Sequence, residues 1–285
     1  MPPTEFNWTN DNGNKIYAIE WPVTDARAVI GLIHGIGEHC RRYDHVSRFF
    51  TENGIAVLAY DRQGYGRSGG QRGHADKYAE YIDEIAHLLI ECERRYPDRP
   101  AFLYGHSMGG HILLRYLIRR HPNLSGAIIS APHISLAFKP NPLIVGLGKV
   151  MRQIMPTFSQ ENPLDTTQLS RNPDVKPAYD NDPLTHATLS SQTGIDVLEN
   201  AAMLNAYSGG LHVPTLLMHG TADGITNYAG SLAFAKRNPE NLTFKPWPGL
   251  YHELHNEPER AEVLDFVLDW LTGQMRAVHR GPKSV

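Results

Sequence analysis

The chain has 285 residues and a formal net charge of −3, with 27 Lys and Arg against 30 Asp and Glu; no basic block marks nucleic acid as a partner. Its 2 cysteines, Cys40 and Cys92, make no disulfide framework and fit a reducing compartment as small buried side chains. The start Met1-Pro2-Pro3-Thr4-Glu5 lacks the pattern of a secretory signal, and no apolar run approaches the roughly 20 residues of a membrane span, so a soluble, cytoplasmic protein is expected.

In chain order, the first predicted unit is a hairpin: residues 6–9, the turn Asp11-Asn12-Gly13, then alternation over 15–20. Apolar, β-rich runs follow at 28–33, 55–60, 101–104, 127–129 and 215–219, with a last strand near 242–244. Helical stretches at 43–52, 77–95, 110–120, 228–236 and 257–272 lie between or after them. Strands alternating with helices imply an α/β fold with a mostly parallel central sheet flanked by helices.

The rhythm breaks between Pro132 and Tyr207, where proline and asparagine cluster and no buried strand is apparent. The expected organisation is therefore a core in two parts, 1–132 and 207–285, with an inserted helical cap over 133–206. Within that interval Leu143, Ile144, Leu147, Val150, Met151, Ile154 and Met155 recur at three- and four-residue spacing, an amphipathic helix. Its apolar stripe either packs onto the core or acts as a lid that lines an acyl pocket or touches a membrane surface. Both readings can hold for different residues of one helix.

Gly105-His106-Ser107-Met108-Gly109 sits after one predicted strand and before a predicted helix, the context of a nucleophile elbow. Small flanking residues permit the strained turn that lifts the Ser107 hydroxyl above the sheet and brings the Met108 N–H to a helix N-terminus. A serine needs a base and a carboxylate to orient it, in the chain order Ser, Asp, His. Asp223, in His219-Gly220-Thr221-Ala222-Asp223, follows a strand; His252, in Pro248-Gly249-Leu250-Tyr251-His252, follows the last one. Among 15 histidines, His255 is the near alternative and reads as a solvated loop residue. The loop Ile33-His34-Gly35-Ile36-Gly37-Glu38-His39 offers the Ile36 N–H as a second oxyanion donor.

Gly64-Tyr65-Gly66-Arg67-Ser68-Gly69 matches a dinucleotide fingerprint but opens no helix at once and lacks the expected ribose acid. His252-Glu253-Leu254-His255 lacks the spacing of a zinc-binding H-E-x-x-H. No cofactor or metal is expected.

With these residues assembled, the chain resembles an α/β-hydrolase of the monoacylglycerol lipase and lysophospholipase family. The resemblance rests on His34-Gly35-Ile36-Gly37-Glu38-His39, Asp61-Arg62-Gln63-Gly64-Tyr65-Gly66-Arg67-Ser68, Gly105-His106-Ser107-Met108-Gly109-Gly110, His219-Gly220-Thr221-Ala222-Asp223 and Gly249-Leu250-Tyr251-His252. It implies Ser107, Asp223 and His252 as triad, Ile36 and Met108 as oxyanion donors, and hydrolysis of a single-chain lipid ester such as a monoacylglycerol. Tyr65 departs from it, standing where the family often has histidine. A lysophospholipase, a general carboxylesterase, a peptidase or acyltransferase on the same fold, and a ligand receptor on a hydrolase scaffold are the alternatives. Transient membrane-surface contact through the cap is a further expectation.

Overall fold

The computed structural model describes residues 1–161 and 164–279. Strands β3 (Ala28–Ile33), β4 (Ile55–Tyr60), β5 (Ala101–His106), β6 (Gly126–Ser130) and β9 (Thr215–Gly220) are buried at every position. Continuous apolar runs of this kind belong in a sheet covered on both faces. With β1 (Thr4–Thr9), β2 (Lys15–Trp21) and β10 (Leu242–Trp247) they form an eight-stranded sheet of order β1-β2-β4-β3-β5-β6-β9-β10. The pairs β1–β2 and β2–β4 are antiparallel and the rest parallel.

Alternate strand residues face two cores. Val29, Ile33 and Leu103 pack with α2 (Tyr78–Arg95) and α3 (Met108–Arg120). Ile30, Leu32 and Phe102 pack with α1 (Asp44–Glu52) and α8 (Arg260–His279). The last helix starts later than position 257 because Glu257 precedes proline and stays extended at φ −66°, ψ 158°. Helix α7 (Tyr228–Arg237) connects β9 to β10.

Between β6 and β9 lie α4 (Pro142–Ile154), a two-stranded ribbon of β7 (Ser159–Glu161) and β8 (Thr188–Ser190), α5 (Val175–Asp180) and α6 (Ser191–Ala206). The amphipathic reading of α4 needs one correction: no residue of it is buried, so its stripe does not pack into the core. Ile144, Val145, Leu147, Gly148 and Met151 instead line a cavity, while Leu143 is 82% and Ile154 73% exposed. Helix α6 was not anticipated. Of its buried positions, Thr193, Val197, Asn200, Ala201 and Leu204 keep helical spacing while Ile195 lies off that stripe, and two of the five are polar and mask it. Ser190, whose side chain accepts from the Thr193 N–H, was the available start signal.

Candidate active site

Ser107 stands between β5 and α3 at φ 54° and ψ −116°, a backbone region that L residues rarely hold. Its flanking glycines answer a packing demand. A Cβ on Gly105 would lie 2.7 Å from the Gly109 carbonyl oxygen, and one on Gly109 only 2.3 Å from that of Ile33. Helix α3 therefore closes directly onto the ends of β3 and β5, with Ser107 at its first turn.

Ser107 Oγ lies 2.9 Å from His252 Nε2, and His252 Nδ1 lies 2.7 Å from Asp223 Oδ2. All three side chains are buried although 145 and 29 residues separate the pairs. The loops carrying Asp223 and His252 meet because Gly220 has no side chain; a Cβ there would sit 2.3 Å from the carbonyl oxygens of Leu250 and Tyr251. Asp223 Oδ1 accepts the Ile225 and Thr226 N–H groups at 2.8 and 2.9 Å, and Oδ2 accepts the Thr226 hydroxyl at 2.9 Å.

Burial alone would raise Asp223, but the charge of His252 and hydrogen bonds from His219 and His252 hold it well below the usual carboxylate range. Burial would lower His252, yet the Asp223 carboxylate outweighs it and the imidazole pKa lies above its ordinary value. A raised histidine opposite a depressed aspartate is the electrostatic arrangement of a base ready to take a hydroxyl proton.

The loop at 34–37 presses against this centre. A Cβ on Gly35 would be 3.3 Å from Ser107 Cβ, and both Ile36 and Met108 line the cavity that holds Ser107. Neither the Ile36 nor the Met108 N–H donates to an acceptor among the described residues. Buried Arg62 cradles the loop from below, donating to the carbonyls of His34 and, at 2.5 Å, Gly35. From above, the Tyr179 hydroxyl and the His186 N–H both donate to the Gly37 carbonyl at 3.0 Å.

Sequence reasoning missed a buried ionic cluster that ties this loop to the histidine loop. Arg42 donates to Glu38 at 2.5 Å and to Glu253 at 2.7 and 3.0 Å, while Glu38 accepts the Gly35 N–H at 2.5 Å. It also missed His219, whose Nε2 is 3.1 Å from Asp223 Oδ2. Glu253 lies 211 residues from Arg42, so nothing local signals the first contact, whereas the four-residue separation of His219 and Asp223 was the available signal for the second. The expected solvated His255 is corrected: its ring is buried, stacks on Tyr43 with centroids 4.7 Å apart, and is pushed down to about 3 by burial. Tyr65, at the departing position, is buried between His186 and Arg62, 4.9 Å from the former ring and 4.8 Å from the guanidinium. The glycines of the decoy motif pack its loop: a Cβ on Gly66 would fall 2.1 Å from Asp61 Oδ2.

The cavity has a volume of about 380 Å³, within the roughly 300–1,000 Å³ of small-molecule sites. Its wall is mostly apolar, from Leu136, Phe138, Leu147, Met151, Leu189 and Ile195. His133 is an exception, kept neutral because burial pushes its pKa down to about 4. Among the described residues no three His, Cys, Asp or Glu side chains gather as metal ligands would, and no described helix is long and apolar enough to cross a membrane.

The fold and this site define an α/β-hydrolase of the serine type. Residues 24–259 match the family model described as serine aminopeptidase, S33. A monoacylglycerol lipase of Mycolicibacterium smegmatis is 34% identical, over 91% of this chain and 93% of that protein. The crystal structure of a Paleococcus ferrophilus monoacylglycerol lipase superposes with a TM-score of 0.83 at 32% identity, covering 91% of this chain and 99% of that one. A soluble variant of the Saccharomyces cerevisiae monoglyceride lipase, solved with a substrate analog, gives 0.85 at 25% identity and 96% coverage of both chains. The chain belongs to this family of α/β-hydrolases, in the company of its monoacylglycerol lipases.

Proposed function

We propose that the chain hydrolyses monoacylglycerols, releasing a fatty acid and glycerol through an acyl-enzyme. The observation that carries this reading is the unbroken chain of hydrogen bonds from Asp223 through His252 to Ser107, opening into an apolar cavity. The names of the similar lipases support the choice of ester.

In this mechanism His252 Nε2 takes the Ser107 proton as Oγ attacks the ester carbonyl, and the Ile36 and Met108 N–H groups receive the oxyanion. The tetrahedral intermediate collapses, His252 returns the proton to the departing glycerol oxygen, and the acyl group stays on Ser107. Water then attacks the acyl carbonyl as His252 takes its proton; the second tetrahedral intermediate collapses, His252 returns that proton to Ser107 Oγ, and the fatty acid leaves. Asp223 keeps the imidazole oriented and offsets its positive charge throughout.

The interval 133–206 serves in this reading as a cap, with α4 and α6 enclosing the acyl chain. The outward apolar residues Leu143 and Ile154 then make transient contact with a lipid surface, since an exposed row of this kind buries area only against another apolar phase.

A hydrolysis panel of monoacylglycerols, lysophospholipids and p-nitrophenyl esters of graded chain length, run beside Ser107→Ala, tests the proposal. A monoacylglycerol maximum that vanishes in the folded variant is the expected result. Turnover retained in Ser107→Ala refutes the nucleophile, a lysophospholipid maximum refutes the substrate, and slow, flat turnover across the panel favours a peptidase, an acyltransferase or a ligand receptor.

A further inference from the structure

His219 is the penultimate residue of β9 and is fully buried, yet it belongs to none of the roles above. Its Nε2 is 3.1 Å from Asp223 Oδ2 and 3.3 Å from the Thr226 carbonyl oxygen; its Nδ1 is 2.8 Å from the Ser231 hydroxyl of α7. The Thr226 hydroxyl also lies 3.3 Å from Nε2, but its proton goes to Asp223 Oδ2 at 2.9 Å, so the oxygens around Nε2 all act as acceptors and favour one neutral form. A bare Nε2 would set its lone pair against a carboxylate and a carbonyl, so the proton sits on Nε2 and Nδ1 accepts from Ser231.

We propose that His219 is a positioning residue, which donates a second imidazole N–H to Asp223, holds that carboxylate in place and draws off part of the charge that would otherwise act on His252. The proposal rests on the reading of Ser107, Asp223 and His252 as a catalytic relay. Asp223 then receives five donors: the Ile225 and Thr226 N–H groups on Oδ1, and the Thr226 hydroxyl, His219 and His252 on Oδ2. A carboxylate has about four lone-pair directions, so these donors compete. Each one that leaves makes the oxygen a better partner for His252 and its imidazolium easier to form.

The His219 ring meets Tyr228 edge-on at 6.0 Å, with Thr226 and Ser231 as its uncharged neighbours. Around His252 stand Asp223, Ser107 and the His106 ring at 4.7 Å, with His133, His255, Glu253 and Glu38 further out. His106, His133 and His255 are all held neutral by burial, which lowers each below its ordinary value. Glu253 is held ionised by Arg42 against the effect of burial.

The test is the pH profile of kcat/KM on a soluble short-chain ester for the wild type, His219→Leu and His219→Gln. Leucine removes the donor, and glutamine replaces the Nε2–H with an amide N–H. In His219→Leu the acid limb moves upward by about half to one pH unit, the size of shift that one hydrogen bond to a buried charge produces. His219→Gln keeps the wild-type limb. An unmoved limb in the leucine variant, or an equal displacement in the glutamine variant, overturns the role. Should the leucine variant fail to fold, imidazole nitrogen shifts of the wild type decide: an Nε2–H tautomer of His219 throughout the active pH range is expected, and an Nδ1–H tautomer overturns the proposal. Ser107→Ala, assayed alongside, separates the two levels. Its retained turnover sinks the relay itself, whereas an inactive Ser107→Ala with an unmoved limb sinks only the part played by His219.

Discussion

Arg42→Leu strips the counter-charge from two buried carboxylates at once. Arg42 is the shared donor for Glu38 and Glu253, whose side chains are each 2% exposed. Removing one partner of a buried ion pair costs about 3–5 kcal/mol, because a charge remains in a medium that solvates it poorly. Some hydrogen bonding survives here, from the Tyr43 hydroxyl to Glu38 and from the Asn256 amide to Glu253, each at 2.7 Å. The lower end of that range, about 3 kcal/mol at pH 8, is therefore expected. The pH dependence carries the sharper signature. In the wild type, burial of Glu253 is outweighed by Arg42 and its pKa is lowered, so its contribution is present above the ordinary 4.5 and lost as pH falls through the folded value. Without Arg42, burial becomes the dominant influence and raises the folded pKa, so the variant loses stability as pH rises from 4.5. The gap between the two proteins should widen from pH 4.5 to pH 8. Urea unfolding at pH 4.5, 6 and 8 measures it, with a kcat loss of about 10- to 100-fold expected as the loops that carry Ile36 and His252 lose their tie. A gap below about 1 kcal/mol at pH 8, or one independent of pH, refutes the reasoning.

Three more outcomes follow from individual contacts. Burial pushes Glu84 up to about 8, so its stabilising contribution is complete below the ordinary 4.5 and lost as pH rises through 8. Glu84→Gln should then be more stable than the wild type at pH 9 by roughly 3–5 kcal/mol, and equal unfolding midpoints there contradict this. Gly109→Ala forces a methyl against the backbone oxygens of Ile33 and His34 at 2.3 and 2.5 Å, which cannot yield without moving β3. It should lower the thermal midpoint and abolish activity together, and a variant that keeps both disproves the close approach. Replacing Leu143 and Ile154 by Ser should reduce turnover of vesicle-borne monoacylglycerol several-fold while sparing a soluble short-chain ester, since both side chains point away from the cavity wall. Equal effects on the two substrates would remove the lipid surface from the account.

Sequence alone determined the elements whose cause is local. Runs such as Ala28–Ile33 and Ile55–Tyr60 read as buried strands because every residue must be apolar when both faces of a sheet are covered. The turn at Ser107 read correctly because α3 closes so tightly onto β3 and β5 that only glycines fit at 105 and 109. Asp223 and His252 were accessible as candidates because chain order and strand ends restrict where an oriented carboxylate and base can stand. Tertiary structure alone decided how those candidates are held. Arg42 reaches Glu253 across 211 residues, and His255 is buried because Tyr43 and His106 close around it. The two faces of α4 were likewise divided between cavity and exterior only once α6 lay beneath Gly148. Hydrophobic periodicity records whether a residue is covered, while the identity of a polar partner depends on which distant loops the packed sheet brings within about 3 Å, and that leaves no periodic trace.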